Sequence, residues 1–541
     1  MKCDGLRTVD TKKMELNEVI SMLNPFTMMG IEEKSKMSFY TDIEELKNCF
    51  LELEEAKFNY QSHKEEVNKV ENLLAHIKDL RYSLGCTISG QVLNSIELFE
   101  VKQCGLRMQQ IKKYLDLIRH DNFSLEMNDV GELIKILDPK NEGLETFYIY
   151  DDFSLKLSEI RKKKRECGKI LKLEIENLKK QVQIAFDVKV SQEHFVRVSK
   201  DQKERIEKMN QSHLLKYDSE TYMQIQYKIR YNDKTIKYLE LLDGLKENEE
   251  EEIFQVQKKL SQGIAKIAPK ILENYERIAK LDFLWAKVRL AIKMDGKRPE
   301  ISSKNYISIK NGFHPIVAKN LKETNILFQP LSITCESGVT CITGANMGGK
   351  TVCLKTTALL VSMMHLGLMV PCEKMACGLF EKLWLITGDE QSTKKGLSTF
   401  GSEISEVKEA IKTADKNTLI LVDELASGTN PEEGQALLMA LKDYLKRCPA
   451  ISILTTHYDG IANDSMIKHY QVRGLENTSI EEVANLNDEN ERLVWLKKHM
   501  DYSLKEVDTF ADVPKDALRI ARMMGLEESV VKAAETILEK K

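Results

Sequence analysis

One stretch constrains this chain more than any other: VTCITGANMGGKTVCLKTTALL, Val339 to Leu360. A β-branched run leads into Gly344-Ala345-Asn346-Met347-Gly348-Gly349-Lys350-Thr351, and an apolar helical pattern follows. The octad fits G-x-x-x-x-G-K-[ST] in the setting that motif requires, a strand before and a helix after. Glycines let successive backbone N–H groups turn towards one anion. The helix beginning about Thr351 offers its positive end to the same charge. Lys350 is then expected to reach the β- and γ-phosphates of a nucleotide, and Thr351 to ligate Mg²⁺.

Such a loop belongs at the end of a buried parallel sheet. After Ile301 the short runs VTCIT, KLWLIT, TLILVD and ISILTT alternate with helical patterns, which predicts an α/β domain with a largely parallel sheet. The run TLILVDELASGTNPEEG, Thr418–Gly434, is an apolar strand ending in Asp423-Glu424. In P-loop NTPases a carboxylate at that strand end lies beside the Mg²⁺. Glu424 is then placed to orient or deprotonate an attacking water. A third strand, in ILTTHYDG, ends near His457, where a neutral imidazole can sense the γ-phosphate. In GDEQSTKKGLSTFGSEISEV, Gly388–Val407, Ser398 and Thr399 precede a helix. Either hydroxyl can cap that helix, and its bare N–H groups can bind an anion. Where a nucleotide is sandwiched between two subunits, a segment of this kind completes the partner's site.

The half before residue 300 has another texture. Glycine and proline are sparse, and apolar residues recur at three- and four-residue spacing over Ile43–Leu80, Leu155–Ile184 and Tyr222–Ile292. A basic run, Arg161–Arg165, and an acidic one, Glu249–Glu252, read as solvated helix faces. Asp187–Ser199 breaks the helical pattern with alternating β-branched residues and predicts a small β excursion at the end of a helical arm. The tail from Pro514 to Lys541 returns to amphipathic helix.

Bulk properties narrow the class. A length of 541 residues suggests ~3–4 domains. A net charge of −4 makes no strong electrostatic case for nucleic acid, although a local basic face fits within a neutral total. The eleven cysteines form no C-x-x-C pair, and Cys372 and Cys377 have no clustered partners for zinc. The N-terminus has no apolar h-region, and no apolar run reaches the ~20 residues that span a bilayer. These features predict a cytoplasmic globular protein without membrane association.

Taken together, the loop with its Asn346-Met347 pair, DELASGT, STF and THY resemble the ATPase domain of the MutS family. The family loop reads G-P-N-M-G-G-K-[ST], and Ala345 stands here for the proline. GDEQS and DELASGTNPEEG are most similar to the second MutS class, the branch without a mismatch-reading domain. GFHPIV, Gly312–Val317, resembles the family's entry to its ATPase domain. LNPFTMMG, Leu23–Gly30, and Ile278–Ile292 resemble the start and end of its core and lever helices. Phe50-Leu51-Glu52 matches the string of the mismatch-reading wedge, but within a helical repeat, and is read as coincidence.

The resemblance implies an ABC-type P-loop NTPase domain over residues 301–500 and a helical core with lever arms over 1–300. It places a small clamp near 187–234 and a helical dimerisation segment at 501–541. It implies ATP and Mg²⁺ as ligands, with Gly344, Ala345, Asn346, Met347, Gly348, Gly349, Lys350, Thr351 and Asp423 holding them. Thr351 and Asp423 would serve the metal, Glu424 and His457 hydrolysis, and Ser398 the partner's nucleotide. Ile326 falls where the family packs a side chain on adenine, usually an aromatic one. The implied state is a homodimer or a paralogous heterodimer, lacking the mismatch-reading domain and the C-terminal nuclease module. Its arms would close on DNA in an ATP-driven cycle. The clamp region mixes basic and acidic residues, which keeps a second reading open: remodelling of a protein client, as implied by compact MutS-like chains thought to reactivate cobalamin-dependent aminomutases.

Overall fold

Strands buried on both faces need apolar residues at every position, and three runs of the second half have this character. They become β7 (Gly338–Thr343), β10 (Thr418–Asp423) and β11 (Ile451–Thr456), buried throughout except at Asp423. The computed structural model describes residues 6, 10–118, 126–140, 148–344, 349–388, 399–427, 429–458, 460–475, 492, 495–496, 498–507 and 517–539. The chain divides into two units: Met1–His76, Lys113–Glu126 and Glu276–Lys541 form the first, Ile77–Lys112 and Met127–Tyr275 the second.

The first unit contains a six-stranded sheet. With β9 (Lys382–Ile386), β12 (Lys468–Gly474) and β13 (Asp501–Glu506), its order is β13-β12-β7-β11-β10-β9. All neighbours pair in parallel except β13, which runs antiparallel to β12. Side chains alternate between the faces of a strand. Leu419, Leu421, Ile451 and Ile453 therefore join Leu354, Ala358 and Leu359 of the Lys350–His365 helix on one side. Ile420, Val422 and Leu454 join Val407, Leu438 and Leu441, from the Thr399–Thr413 and Pro431–Leu445 helices, on the other. A second sheet, β4 (Glu300–Ser302), β5 (Ile307–Gly312), β6 (Leu331–Cys335) and β8 (Lys374–Gly378), has the order β4-β8-β5-β6.

The core around the Lys350–His365 helix draws on residues far away in sequence. Leu46, Phe50 and Leu53 of the Ile43–Ser62 helix belong to it, as do Val288 and Ala291 from the end of the Asp233–Lys293 helix. Phe50 is fully buried there, so Phe50-Leu51-Glu52 is part of helix packing, as the coincidence reading holds. The two motifs at the ends of the helical half meet through Asp282. Its buried carboxylate accepts the N–H groups of Phe26 (3.0 Å) and Thr27 (2.7 Å) and the Thr27 hydroxyl (2.8 Å). Thr27 in turn caps the Met28–Ser35 helix by accepting the Gly30 N–H. Lys13 ties the N-terminal segment to the Thr399–Thr413 helix, its ammonium 2.8 Å from the Glu406 carboxylate.

The second unit holds the Leu155–Phe186 helix, most of the 61-residue Asp233–Lys293 helix and a three-stranded antiparallel sheet. Strands β1 (Phe195–Ser199), β2 (Leu215–Glu220) and β3 (Gln224–Ile229) take the order β1-β3-β2. The β excursion expected over Asp187–Ser199 is present, and Leu178, Val182, Val196, Tyr227 and Ile229 form its core. One expectation is corrected. The basic and acidic runs are not merely solvated: Arg161 and Lys164 both pair with the half-buried Glu249, at 2.8 and 2.5 Å, and Arg161 also pairs with Asp151. Opposite charges on two facing helices neutralise one another, which composition along one helix cannot reveal. Among the described residues no helix is long and apolar enough to cross a membrane.

Candidate nucleotide-binding site

The site forms where the parallel strands end. Strand β7 stops at Thr343, and the Lys350–His365 helix begins six residues after Gly344. Gly349 has φ 80°, and a Cβ there would lie 2.9 Å from the Tyr502 ring. Only glycine fits that backbone against that ring. Ala345, Asn346, Met347 and Gly348 lie outside the described residues, as does Ser398.

Lys350 is buried and folds back over its own loop. Its ammonium donates to the Gly344 carbonyl at 2.8 Å and lies 2.9 Å from Glu424 Oε1. Thr351 donates its hydroxyl to Asp423 Oδ2 at 2.6 Å. The other Asp423 oxygen accepts the Thr455 hydroxyl at 2.5 Å. Burial pushes the Asp423 carboxyl above its ordinary value; the bonds from Thr351 and Thr455 oppose that, Glu424 adds to it and Lys350 lowers it. A hydroxyl and a carboxylate in contact are hard oxygen donors of the kind Mg²⁺ takes.

Glu424 adopts φ 43° and Ala426 φ 64°, conformations that side-chain-bearing residues rarely take. Two groups hold this turn. The Glu424 N–H donates to the carbonyl and the hydroxyl of Thr455, both at 3.2 Å. The Ala426 N–H donates to Glu403 Oε2, also at 3.2 Å. Glu403 is buried in the Thr399–Thr413 helix, and its carboxyl is raised chiefly by that burial. His457 follows β11, with Nδ1 3.8 Å from Glu424 Oε1. That nitrogen is buried and has no hydrogen-bond partner among the described residues.

A cavity of about 400 Å³ adjoins the loop, lined by Ile326, Phe328, Leu331, Gly349, Val352 and Tyr502 among others. The structure therefore brings Gly344, Gly349, Lys350, Thr351, Asp423, Glu424 and His457 together and puts Ile326 in the wall of the adjoining cavity. Sequence reasoning missed Thr455, Glu403, Phe328 and Tyr502. Thr455 carried a readable signal, two residues before His457 on a core strand. Tyr502 lies more than 150 residues beyond the loop, and no spacing connects the two.

Comparison with known proteins bears on the same region. The family model described as MutS domain V matches residues 340–540. Proteins named "Endonuclease MutS2" are similar across more of the chain. That of Caldanaerobacter subterraneus subsp. tengcongensis is 34% identical over 310 residues, 56% of this chain and 36% of that protein. That of Halothermothrix orenii is 38% identical over 249 residues, 46% and 30%. That of Staphylococcus haemolyticus is 26% identical over 550 residues, covering 98% of this chain and 65% of that protein. The chain thus spans between about a third and two thirds of the length of these relatives.

Proposed function

This is a MutS2-like chain with the ATPase domain of the MutS family, and from that premise we propose that it binds and hydrolyses ATP and works as a dimer on DNA. The observation that carries the reading is one pair of contacts: Thr351 on Asp423 and Lys350 beside Glu424, at the mouth of a parallel sheet. Lys350 and the backbone from Gly344 to Thr351 would bind the phosphates. Thr351 and Asp423 would hold Mg²⁺, which when bound supplies positive charge to the phosphate oxygens. Glu424 would accept the proton of the attacking water, and His457, with its free Nδ1 facing Glu424, would orient that water or the terminal phosphate. The base would enter the apolar cavity, against Tyr502 and Ile326.

Dimerisation is supported by the C-terminal helix Glu528–Glu539. Leu526 just before it and Val530, Ile537 and Leu538 within it expose about half their surface, while Val531 is buried. Ser398, just before the Thr399–Thr413 helix, would then complete the partner's site.

A second reading, action on a protein client, is favoured by the three-stranded sheet of the second unit. Its cations are partly spent internally: Lys200 pairs with Glu220, Arg205 with Asp187, and Arg197 bonds Gln226, which bonds Asp218. Tyr222 and Met223, at the turn between β2 and β3, are 95% and 71% exposed. Contacts to a DNA backbone release counterions and weaken steeply with salt. ATP hydrolysis should therefore rise with duplex or junction DNA and lose that stimulation between roughly 50 and 200 mM salt. A rate unmoved by any DNA at low salt would overturn the DNA reading in favour of a protein client. ATP hydrolysis absent under all conditions would overturn the engine itself.

A further inference from the structure

We propose that Thr455 is a positioning residue for hydrolysis: its one hydroxyl orients the Asp423 carboxylate and at the same time fixes the backbone from which Glu424 projects. The inference rests on the nucleotide reading above and assigns a role that no motif of the loop contains.

The parallel register of β10 and β11 makes Thr455 the direct partner of Asp423. Partner positions in parallel strands direct their side chains to the same face, so the hydroxyl arrives beside the carboxylate. A hydroxyl has one proton to give and lone pairs to receive, and here both capacities are used. The proton goes to Asp423 Oδ1 at 2.5 Å, and the oxygen accepts the Glu424 N–H at 3.2 Å. Thr351 occupies the other carboxylate oxygen, at 2.6 Å. With a donor on each oxygen, the plane of the Asp423 carboxylate is set. Thr455 is fully buried, so no water competes for these bonds. Its β-branch restricts χ1 and keeps the hydroxyl on this side of the strand. The second bond matters because Glu424 stands at φ 43°, a conformation that relaxes unless its surroundings hold it. The neighbouring Thr456 receives the Tyr458 N–H at 3.0 Å, whereas the Thr455 hydroxyl serves Asp423 and Glu424, so the two threonines are not equivalent.

Thr455→Val keeps the shape and removes the hydroxyl; Thr455→Ser keeps the hydroxyl and removes a methyl. Losing a hydrogen bond to a charged group corresponds to about a tenfold effect or more. For Thr455→Val the expected result is a kcat lowered about tenfold or more, and a half-saturating Mg²⁺ concentration raised about tenfold, with an ATP affinity measured in EDTA within about twofold of the parent. Thr455→Ser should behave as the parent in all three measurements. If the valine fails to fold, Thr455→Ala takes its place, with the same pattern expected. A valine or alanine variant with parental kcat and Mg²⁺ demand overturns the proposal. So does a serine variant as impaired as the valine, since packing would then explain the loss. A parent protein that binds no ATP with or without Mg²⁺ overturns the nucleotide reading itself, a result distinct from either.

Discussion

The Lys350 ammonium stands 2.9 Å from Glu424 Oε1, and both groups are largely withdrawn from solvent. The residue expected to hold the terminal phosphate thus pairs with the residue expected to take a proton from water. A phosphate bound at this place would exchange one anion for another on Lys350 and free Glu424 for chemistry, which would make nucleotide binding and activation of the base a single rearrangement.

Lys350→Ala removes that cation and leaves Glu424 without its partner. A charge-assisted bond contributes roughly 1.5–3 kcal/mol, so ATP affinity should fall by about one to two orders of magnitude. Isothermal titration with ATP–Mg²⁺ measures this directly. Retained affinity would remove Lys350 from the phosphate site.

Glu424→Gln keeps the size of the side chain and abolishes its basicity. Hydrolysis should drop by about 10²–10⁴-fold while ATP binding persists. Single-turnover assays with labelled ATP separate the two. A variant that hydrolyses ATP at the parental rate would assign the base elsewhere.

Glu403 is the acceptor for the buried Ala426 N–H, two residues after Glu424. Glu403→Ala leaves that donor unsatisfied, which costs about 1–3 kcal/mol of stability. Hydrolysis should fall more than ATP affinity, because the strained turn relaxes around Glu424 and not around the phosphate loop. Glu403→Gln retains an acceptor and should recover most of both. Urea unfolding together with steady-state kinetics tests the pair; equal behaviour of the two variants would show that the contact does not hold the turn.

Stability should decline as pH falls from about 6.5 to about 4. Burial lowers His314 and His365 from 6.5 to about 4. His365 accepts the Phe380 N–H on Nε2 and faces the Tyr40 carbonyl with Nδ1, an arrangement that requires the neutral ring. His314 accepts the Val317 N–H, with Glu15 3.9 Å away and Lys355 opposing its protonation. The unfolded chain therefore takes up protons before the folded one does. The stabilisation is fully present above the unfolded value and is lost as pH drops through the window, to the extent of a few kcal/mol on the order-of-magnitude scale of such shifts. Urea unfolding at pH 7.5, 5.5 and 4.5 should show the decline, and His365→Gln should flatten part of it. An unchanged pH dependence in that variant would exclude His365 as a contributor.

Ile537→Asp should weaken self-association while leaving the fold of the protomer intact, since Ile537 is 62% exposed. Sedimentation over a concentration series reads the effect. A dimer of parental strength would exclude the Glu528–Glu539 helix from the interface.

Much of the candidate site can be read from residues alone. Buried parallel strands demand continuous apolar runs, so VTCIT, TLILVD and ISILTT announce themselves, and a glycine loop between strand and helix leaves few alternatives for Lys350 and Thr351. Asp423 and Glu424 were legible because they end such a run. The MutS resemblance was carried by the same local strings, and the family comparison supports it. What the sequence could not supply are the relations made by register and docking. Thr455 reaches Asp423 only because β10 and β11 pair with those residues side by side. Glu403 reaches Ala426 only because one helix packs under a turn more than twenty residues away. Phe50 and Leu354 share one core although three hundred residues separate them, and the basic run at Arg161 finds Glu249 on another helix. Periodicity reports which face of an element is apolar; which element covers that face, and which polar atom meets which, is set by the packing of the whole chain.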